Sequence, residues 1–231
     1  MASVLVAIPQ ENELQPFLRA LAENGHPAEP LTVGRMACFA IPSLGIVSTI
    51  GGHGKTQFAI QTQYLIGQSE SFRDVLCVGA AGCLEEQCRF GDVVVATITI
   101  EHDYKIRFVK ADSPSHSADP TLLEEFQQVV KSNPFPFTTH FGPVASGDED
   151  IVDGQRALEL QQATDALCVA WEGSGGARAA AFNGLRFLEI RCITDGADSD
   201  AASSFHANCE KAMPNIAQLI ARWRSADKQP R

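Results

Sequence analysis

The sequence is short of positive charge. Its 231 residues include 18 Lys and Arg against 28 Asp and Glu, which gives a formal net charge of −10. Binding to a nucleic-acid backbone depends on clustered Lys and Arg, so we do not expect nucleic acid as a partner. Hydrophobic residues make up 45% of the chain. A chain of this length can bury about 70% of its surface, which predicts a folded core without disulfides or structural metal.

Long apolar runs and paired metal-binding cysteines are also lacking. The main uncharged runs, 36–52 and 75–84, fall short of the ~20 apolar residues that span a bilayer. The apolar stretch near the first residue has no basic region before it, which is untypical of a signal peptide. The seven cysteines form no C-x-x-C pair, and buried thiols are typical of a reducing compartment. We therefore expect a cytoplasmic protein with no membrane partner, no metal and no organic cofactor.

Apolar runs typical of strands alternate with segments whose apolar residues recur at helical spacing. The predicted strands are 3–8, 36–41, 45–50, 74–79, 92–100, 138–146, 166–170 and 185–194. The predicted helices are 10–24, 55–67, 121–131, 154–163, 172–183 and 203–224. This alternation predicts an α/β fold with a mixed, mostly parallel sheet. Residues 110–119 are expected to form a mobile loop, because they are almost all polar.

Polar clusters follow several of these strands at the point where each strand ends. In open α/β sheets, ligands bind outside the carboxyl ends of the strands. The clusters are 10–13, 51–55, 79–82, 146–150 and 194–198, and Trp171-Glu172 forms a sixth. The sequence therefore predicts one ligand site at this edge of the sheet.

The segment Gly51–Thr56, GGHGKT, is close to a nucleotide-binding P-loop. The P-loop pattern G-x-x-x-x-G-K-[ST] requires glycine at position 49, which is Thr49 here. A nucleotide triphosphatase is therefore disfavoured. Two interpretations stay open: a glycine turn that begins a helix, or helix amides that face an anionic ligand group.

Three charged residues at these strand ends have both a structural and a chemical interpretation. Glu172 either complements a helix dipole or accepts hydrogen bonds from sugar hydroxyls. Asp195 either caps a helix or donates a proton. Arg191 lies an even number of positions before Asp195 and so points to the same face of its strand. A buried Arg is costly unless it is paired, and Glu13 or Glu11 is the expected partner.

In this order, the motifs resemble those of the nucleoside phosphorylase/nucleosidase superfamily, most closely the bacterial 5'-methylthioadenosine/S-adenosylhomocysteine nucleosidases. The matching stretches are GGHGKTQFAIQTQYLI, VGAAGCL, FGDVVVA, EHD, VASGDEDIV, CVAWEG and IRCITDGADSDAASSF. The resemblance implies a single three-layer α/β/α domain over residues 1–225, with a partly barrel-like sheet, followed by a frayed tail at 226–231. It also implies a homodimer that hydrolyses the N-glycosidic bond of an adenosine-type nucleoside.

The resemblance assigns roles to four charged residues. Asp195 matches the general acid that protonates N7 of the leaving base, and Glu172 matches the carboxylate that binds the ribose hydroxyls. Glu13, in preference to Glu11, matches the glutamate that positions or deprotonates the attacking water. Arg191 matches the arginine that steadies this glutamate.

The resemblance also places seven residues around the substrate, and some of them depart from the family pattern. These residues are Trp171, His53, Gly79, Ala80, Asp150, Ile151 and Phe205. His53 and Asp150 stand where apolar or aromatic residues are usual, so the apolar tail of methylthioadenosine fits this pocket less well. With Lys105 and Arg107, His53 would favour a polar or anionic 5′ group. In the alternative, Lys105 and Arg107 are only surface charges.

Two other functions stay open within the same family. Its phosphorylases hold phosphate with an arginine at the position of Cys77, so water is the expected nucleophile here. A phosphorylase with a different phosphate-binding residue is the first alternative. A non-catalytic member that binds or stores nucleosides is the second, because a fold does not fix a function.

Overall fold

A computed structural model of the chain describes residues 3–109 and 111–226. Its strands are β1 Val4–Ile8, β2 Glu29–Val33, β3 Met36–Ile41, β4 Ile46–Ile50, β5 Asp74–Cys83, β6 Val93–Glu101, β7 Ser115–Ser117, β8 Thr139–Ser146, β9 Cys168–Ala170 and β10 Arg186–Asp195. Its helices are α1 Glu11–Glu23, α2 Lys55–Ile66, α3 Pro120–Ser132, α4 Gly154–Thr164, α5 Gly173–Phe182 and α6 Ala201–Ala226. Lys110 and residues 227–231, which include most of the predicted tail, lie outside the described residues.

The strands form one mixed sheet, in the order β2-β3-β4-β1-β5-β10-β6-β8-β9. The neighbouring pairs β4–β1, β1–β5 and β5–β10 are parallel. β9 also pairs with β5 in the antiparallel sense, so β5, β10, β6, β8 and β9 close into a small barrel. The predicted α/β fold with a mixed sheet is confirmed, and the closure accounts for the barrel-like character that the resemblance implied.

The two faces of β1 show how the sequence produces three layers. Side chains alternate between the two faces of a strand. Val4, Val6 and Ile8 join the apolar cluster that includes side chains of α1 and α6. Leu5 and Ala7 join the cluster on the other face, with Phe58 of α2 and the alanines of α5. A strand that is apolar at every position is therefore covered by helices on both sides.

Local signals fix where the helices begin. The carboxylate of Asp119 accepts hydrogen bonds from the backbone N–H groups of Thr121 and Leu122, both at 3.0 Å. Pro120 occupies the first turn of α3, where no N–H is needed. At α1, the N–H of Gln10 donates to Glu13 at 3.1 Å. This contact holds Glu13 in the first turn of a helix that begins directly after β1.

The structure corrects the sequence prediction at three places. β2 was not predicted, since its residues are mostly exposed and include Pro30. β7 lies inside the predicted loop 110–119 and pairs with β6. The small residues 79–82, predicted as a loop, continue β5 because β10 pairs with them in parallel register. None of the described helices is long and apolar enough to cross a membrane.

Candidate active site

The polar strand ends meet around one cavity of about 340 Å³. It lies at the carboxyl ends of β1, β5 and β10, where the sequence predicted a ligand site. Ten of the eleven predicted site residues line it: Glu13, His53, Ala80, Asp150, Ile151, Trp171, Glu172, Arg191, Asp195 and Phe205. The cavity wall also contains residues that sequence reasoning did not assign to the site: Gln10, Gly82, Glu149, Val152, Ala197 and His206.

Gly79 is the predicted site residue that lies behind the cavity wall. A Cβ at this position would stand 2.7 Å from Nη1 of Arg191 and 2.7 Å from Oε1 of Glu13. Both distances are too short for a carbon atom in van der Waals contact. The glycine therefore provides the space in which these two charged side chains approach each other.

Glu13 is buried at the cavity floor and is held by backbone amides. Its carboxylate accepts the N–H of Ala80 at 2.7 Å and the N–H of Gln10 at 3.1 Å. Burial and the nearby charge of Glu172 raise the pKa of Glu13 to about 7. Glu11 is exposed and bonds to Gln15 on the outer face of α1. Of these two glutamates, Glu13 lines the cavity and Glu11 does not.

Arg191 forms its ion pairs with Glu172 and Glu189. Its Nη1 and Nη2 both lie 3.3 Å from Oε2 of Glu172, and its Nε donates to Oε1 of Glu189 at 2.8 Å. The expected pairing of Arg191 with Glu13 or Glu11 is therefore corrected. The physical reason is that Glu189 shares the face of β10 with Arg191 and Glu172 lies within 3.3 Å of it, whereas Glu13 approaches Arg191 at Gly79 but bonds to the amides of Ala80 and Gln10.

Glu189 is a charged residue of this site that sequence reasoning missed. It is fully buried, and besides Arg191 it accepts the hydroxyl of Thr99 at 2.5 Å. The signal was present in the sequence, because residues two apart in a strand share a face. Glu189 and Arg191 are the charged members of an otherwise apolar strand interior, which is the pattern of a buried ion pair.

Glu172 is kept ionised at the cavity by three partners. Its Oε1 accepts the N–H of Gly54 at 3.2 Å and lies 3.5 Å from Nδ1 of His53. Burial favours the neutral carboxyl, but His53, Arg191 and Gly54 together hold the pKa of Glu172 below its usual value. The contact with Glu172 in turn raises the pKa of His53. The ring of His53 stacks on Trp171 with the centroids 4.2 Å apart.

The glycine turn before α2 binds carboxylates of the protein itself. The N–H of Gly54 donates to Glu172, and the N–H of Lys55 donates to Asp148 at 2.8 Å. The Lys55 ammonium pairs with Glu101 at 3.0 Å and with Asp103. The amides and the lysine that a P-loop would offer to phosphate therefore already have partners, which supports the glycine-turn interpretation.

Asp195 lies at the end of β10 with its carboxyl group half-buried. Its Oδ1 accepts the N–H of Ala197 at 3.0 Å, and its Oδ2 accepts the hydroxyl of Thr194 at 2.9 Å. Burial raises the pKa of Asp195, more than these two hydrogen bonds lower it. Gly82 closes one side, since a Cβ there would stand 2.8 Å from Oδ1. Burial therefore favours the protonated form of a carboxyl group that lines the cavity.

The remaining predicted residues give the cavity a mixed lining. Ile151 and Phe205 supply apolar surface, whereas the Asp150 side chain is exposed at the cavity wall. Lys105 and Arg107 are exposed and do not line the cavity. Among the described residues, no group of three His, Cys, Asp or Glu is placed to hold a metal ion.

The fold and the site define a three-layer α/β protein with an acidic ligand cavity at the sheet edge. The sequence model of the phosphorylase superfamily matches residues 3–223. The chain belongs to this superfamily, as its motifs indicated.

Curated relatives and solved structures agree with this assignment. The chain is 29% identical over 188 residues to a 5'-methylthioadenosine/S-adenosylhomocysteine nucleosidase of Exiguobacterium sp., covering 77% of this chain and 79% of the relative. It is 29% identical over 213 residues to the enzyme of the same name from Treponema pallidum, covering 79% of each.

Two solved structures have the same fold. The nucleosidase of this name from Neisseria meningitidis, in complex with methylthio-immucillin-A, has a TM-score of 0.84 and 22% identity, covering 98% of this chain and 100% of that chain. The futalosine hydrolase of Helicobacter pylori also has a TM-score of 0.84 and 22% identity, covering 99% and 98%.

Proposed function

We propose that the protein is a purine nucleosidase that hydrolyses the N-glycosidic bond of an adenosine-type nucleoside. The observation that carries this proposal is the meeting of Glu13, Glu172 and Asp195 at one cavity, from three distant parts of the chain. The activity named for the curated relatives supports it.

The charge balance of the cavity suits this reaction. Cleavage of the bond leaves positive charge on the ribose, which nearby carboxylates stabilise. The positive charge of Arg191 is offset by Glu172 and Glu189, with which it forms ion pairs. The carboxylate of Glu13 then adds negative charge when it is ionised.

Glu172 is the residue that would bind the ribose. An ionised carboxylate accepts about four hydrogen bonds, and those from sugar hydroxyls to a charged oxygen are roughly twice as strong as neutral ones. Glu172 is ionised and lines the cavity, with its partners Gly54, His53 and Arg191 fixing its orientation. Trp171 precedes it and supplies a flat surface beside the sugar.

Asp195 is the residue that would assist departure of the base. A purine leaves poorly as an anion, and protonation at N7 makes it a neutral leaving group. The raised pKa of Asp195, which results from its burial, supports this role. In the alternative mechanism, Asp195 stays ionised and holds a base that is already protonated or carries an amino group.

Glu13 is the residue that would position and deprotonate the water. Its pKa of about 7 leaves part of the population ionised at neutral pH. A base is most effective when its pKa lies near the working pH. The amides of Ala80 and Gln10 each bond to one oxygen of the carboxylate, which leaves an acceptor site on each oxygen for a water in the cavity that Glu13 lines.

Hydrolysis is favoured over phosphorolysis by the lack of a free cation for phosphate among the described cavity residues. Nη2 of Arg191 lies 3.3 Å from the Cys77 sulfur, and Nη1 lies 3.4 Å from the Ala80 carbonyl. These contacts, with the two ion pairs, occupy the guanidinium. A phosphate ion in this cavity would also meet several carboxylates.

We also propose a homodimer in the cytoplasm. The exposed apolar side chains of Tyr104, Ile106, Phe108 and Val109 form a surface that a second copy would cover. All seven cysteines are free, which suits a reducing compartment.

The deciding experiment follows the products. Adenosine, inosine, methylthioadenosine and AMP are each incubated with the protein, with and without phosphate. Free base together with free ribose, or its 5′-substituted form, in phosphate-free buffer supports the hydrolase. Release of base only with phosphate, together with ribose 1-phosphate, identifies a phosphorylase. Tight binding without any product identifies a binding protein.

A further inference from the structure

The end of β5 brings two cysteines together outside the cavity. β5 ends at Cys83, and a turn returns the chain so that the N–H of Cys88 donates to the carbonyl of Glu85 at 3.0 Å. The sulfur of Cys83 lies 2.8 Å from the Glu85 carbonyl oxygen and 3.4 Å from the Cys88 carbonyl oxygen. The six residues 83–88 therefore form a small loop with a sulfur at each end.

The two thiols differ in exposure. Cys83 is half-buried, whereas Cys88 is buried. A third buried thiol, Cys168, stands opposite Cys83 on the antiparallel neighbour β9. Since no metal-binding group of His, Cys, Asp and Glu is found in residues 3–109 and 111–226, metal ligation does not explain this cluster.

The pKa values of the two thiols differ in the same way as their exposure. Interaction with the nearby Cys88 thiol lowers the pKa of the Cys83 thiol to about 7, although burial opposes the change. The same interaction, together with burial, raises the pKa of Cys88. The accessible sulfur is thus the one that forms a thiolate at neutral pH, and thiolates are the nucleophiles in thiol oxidation.

We propose that Cys83 and Cys88 are a redox-active dithiol that closes to a disulfide on oxidation. With hydrogen peroxide as oxidant, the Cys83 thiolate sulfur attacks one peroxide oxygen, the O–O bond breaks and hydroxide leaves. Cys83 is now a sulfenic acid. The Cys88 sulfur attacks the Cys83 sulfur, the S–S bond forms, and water leaves with the Cys88 proton. Peroxide gains the two electrons that the two sulfurs lose.

The test maps the disulfide in the folded protein. The reduced chain is treated with hydrogen peroxide, its remaining thiols are blocked with N-ethylmaleimide, and it is digested without reductant by a glutamate-specific protease. Cleavage after Glu85 and Glu86 places Cys83 and Cys88 on different fragments. We expect a disulfide to join these fragments and reduction to separate them. Because Cys77 lies on the same fragment as Cys83, fragment ions in the mass spectrum should assign the bond to Cys83.

Two variants and one rate complete the test. In Cys88→Ser combined with Cys168→Ser, the Cys83 sulfenic acid has neither the proposed resolving thiol nor the thiol opposite it on β9, so dimedone should label Cys83. Cys209→Ser, a buried thiol in α6, should leave the disulfide unchanged. In the reduced wild type at pH 7, iodoacetamide should modify Cys83 roughly tenfold faster than a thiol of ordinary pKa. A Cys83–Cys168 disulfide, or intact Cys83 after oxidation of other thiols, overturns the proposal. None of these readouts depends on nucleosidase activity.

Discussion

The carboxylate of Glu13 and the guanidinium of Arg191 approach each other across the Cα of Gly79, where an added methyl group would stand 2.7 Å from both. Arg191 bonds instead to Glu172 and Glu189. Its charge lowers the pKa of Glu13 less than burial and Glu172 raise it. The ion pair with Arg191 thus helps to keep Glu172 ionised, whereas Glu13, which has no such pair, has a pKa of about 7. This division suits one group for binding and the other for proton transfer.

The exchange Glu13→Gln tests the assignment of the base. It keeps the shape of the side chain but cannot accept a proton, so we expect kcat for nucleoside cleavage to fall by about 10²–10⁴-fold. Glu11→Gln, two residues away on the exposed face of α1, is the matched control and should retain wild-type activity. Equal activity of the two variants would show that Glu13 does not activate the water.

The raised pKa of Glu13 also predicts that the stability of the protein depends on pH, and Glu13→Gln tests this. Because burial raises the folded-state pKa of Glu13 from 4.5 to about 7, the folded chain binds this proton more tightly than the unfolded chain. Its stabilising contribution is complete below pH 4.5 and is lost as the pH rises through about 7. The variant cannot ionise at this position, so its free energy of unfolding should rise relative to that of wild type between pH 5 and pH 8, by up to about 3 kcal/mol. Urea denaturation at both pH values measures this, and a constant difference would contradict it.

Asp195→Asn tests the assignment of the acid. The amide cannot donate a proton to the leaving base, and we expect kcat to fall by about 10²–10⁴-fold while binding of a non-cleavable nucleoside analogue persists. Asp165→Asn is the control, since Asp165 is exposed and its left-handed backbone tolerates Asn. Near-wild-type turnover of Asp195→Asn on every cleaved nucleoside would remove Asp195 from the mechanism.

Glu172→Gln tests ribose binding by comparing a ribonucleoside with its 2′-deoxy counterpart. Hydrogen bonds to a charged group contribute about 1.5–3 kcal/mol, so kcat/KM for the ribonucleoside should fall by roughly 10–100-fold. The 2′-deoxynucleoside should lose less, because it lacks one of the hydroxyls. Glu159→Gln, on the exposed side of α4, should change neither substrate. An equal loss for both substrates would indicate that Glu172 acts through Arg191 rather than through the sugar hydroxyls.

The sequence predicted which residues line this cavity better than it predicted which of them form ion pairs with each other. Glu172 and Asp195 follow strands, and the carboxyl ends of parallel strands meet at one edge of a sheet, so their convergence was predictable. The pairing of Arg191 with Glu172 rather than Glu13 depends on contacts between distant parts of the chain. Periodicity within one segment carries no information on such contacts. The extension of β5 through residues 79–82 could not be predicted for the same reason. Their composition indicated a loop, and they form a strand because β10 pairs with them.

The approach of α5 to α2 gives a final prediction on stability. A Cβ at Gly175 would stand 2.3 Å from the carbonyl oxygen of Lys55, a backbone atom that cannot move alone. Gly175→Ala would push α2 away, and with it the amide of Gly54 that holds Glu172. We expect a loss of about 1–3 kcal/mol or more in the free energy of unfolding, measured by urea denaturation, together with weaker nucleoside binding. Gly154→Ala is the control, since a Cβ at Gly154 would meet no atom within 4 Å, and it should not destabilise the protein. Equal stability of both variants would mean that α2 and α5 can separate without cost, and that their close packing does not position Glu172.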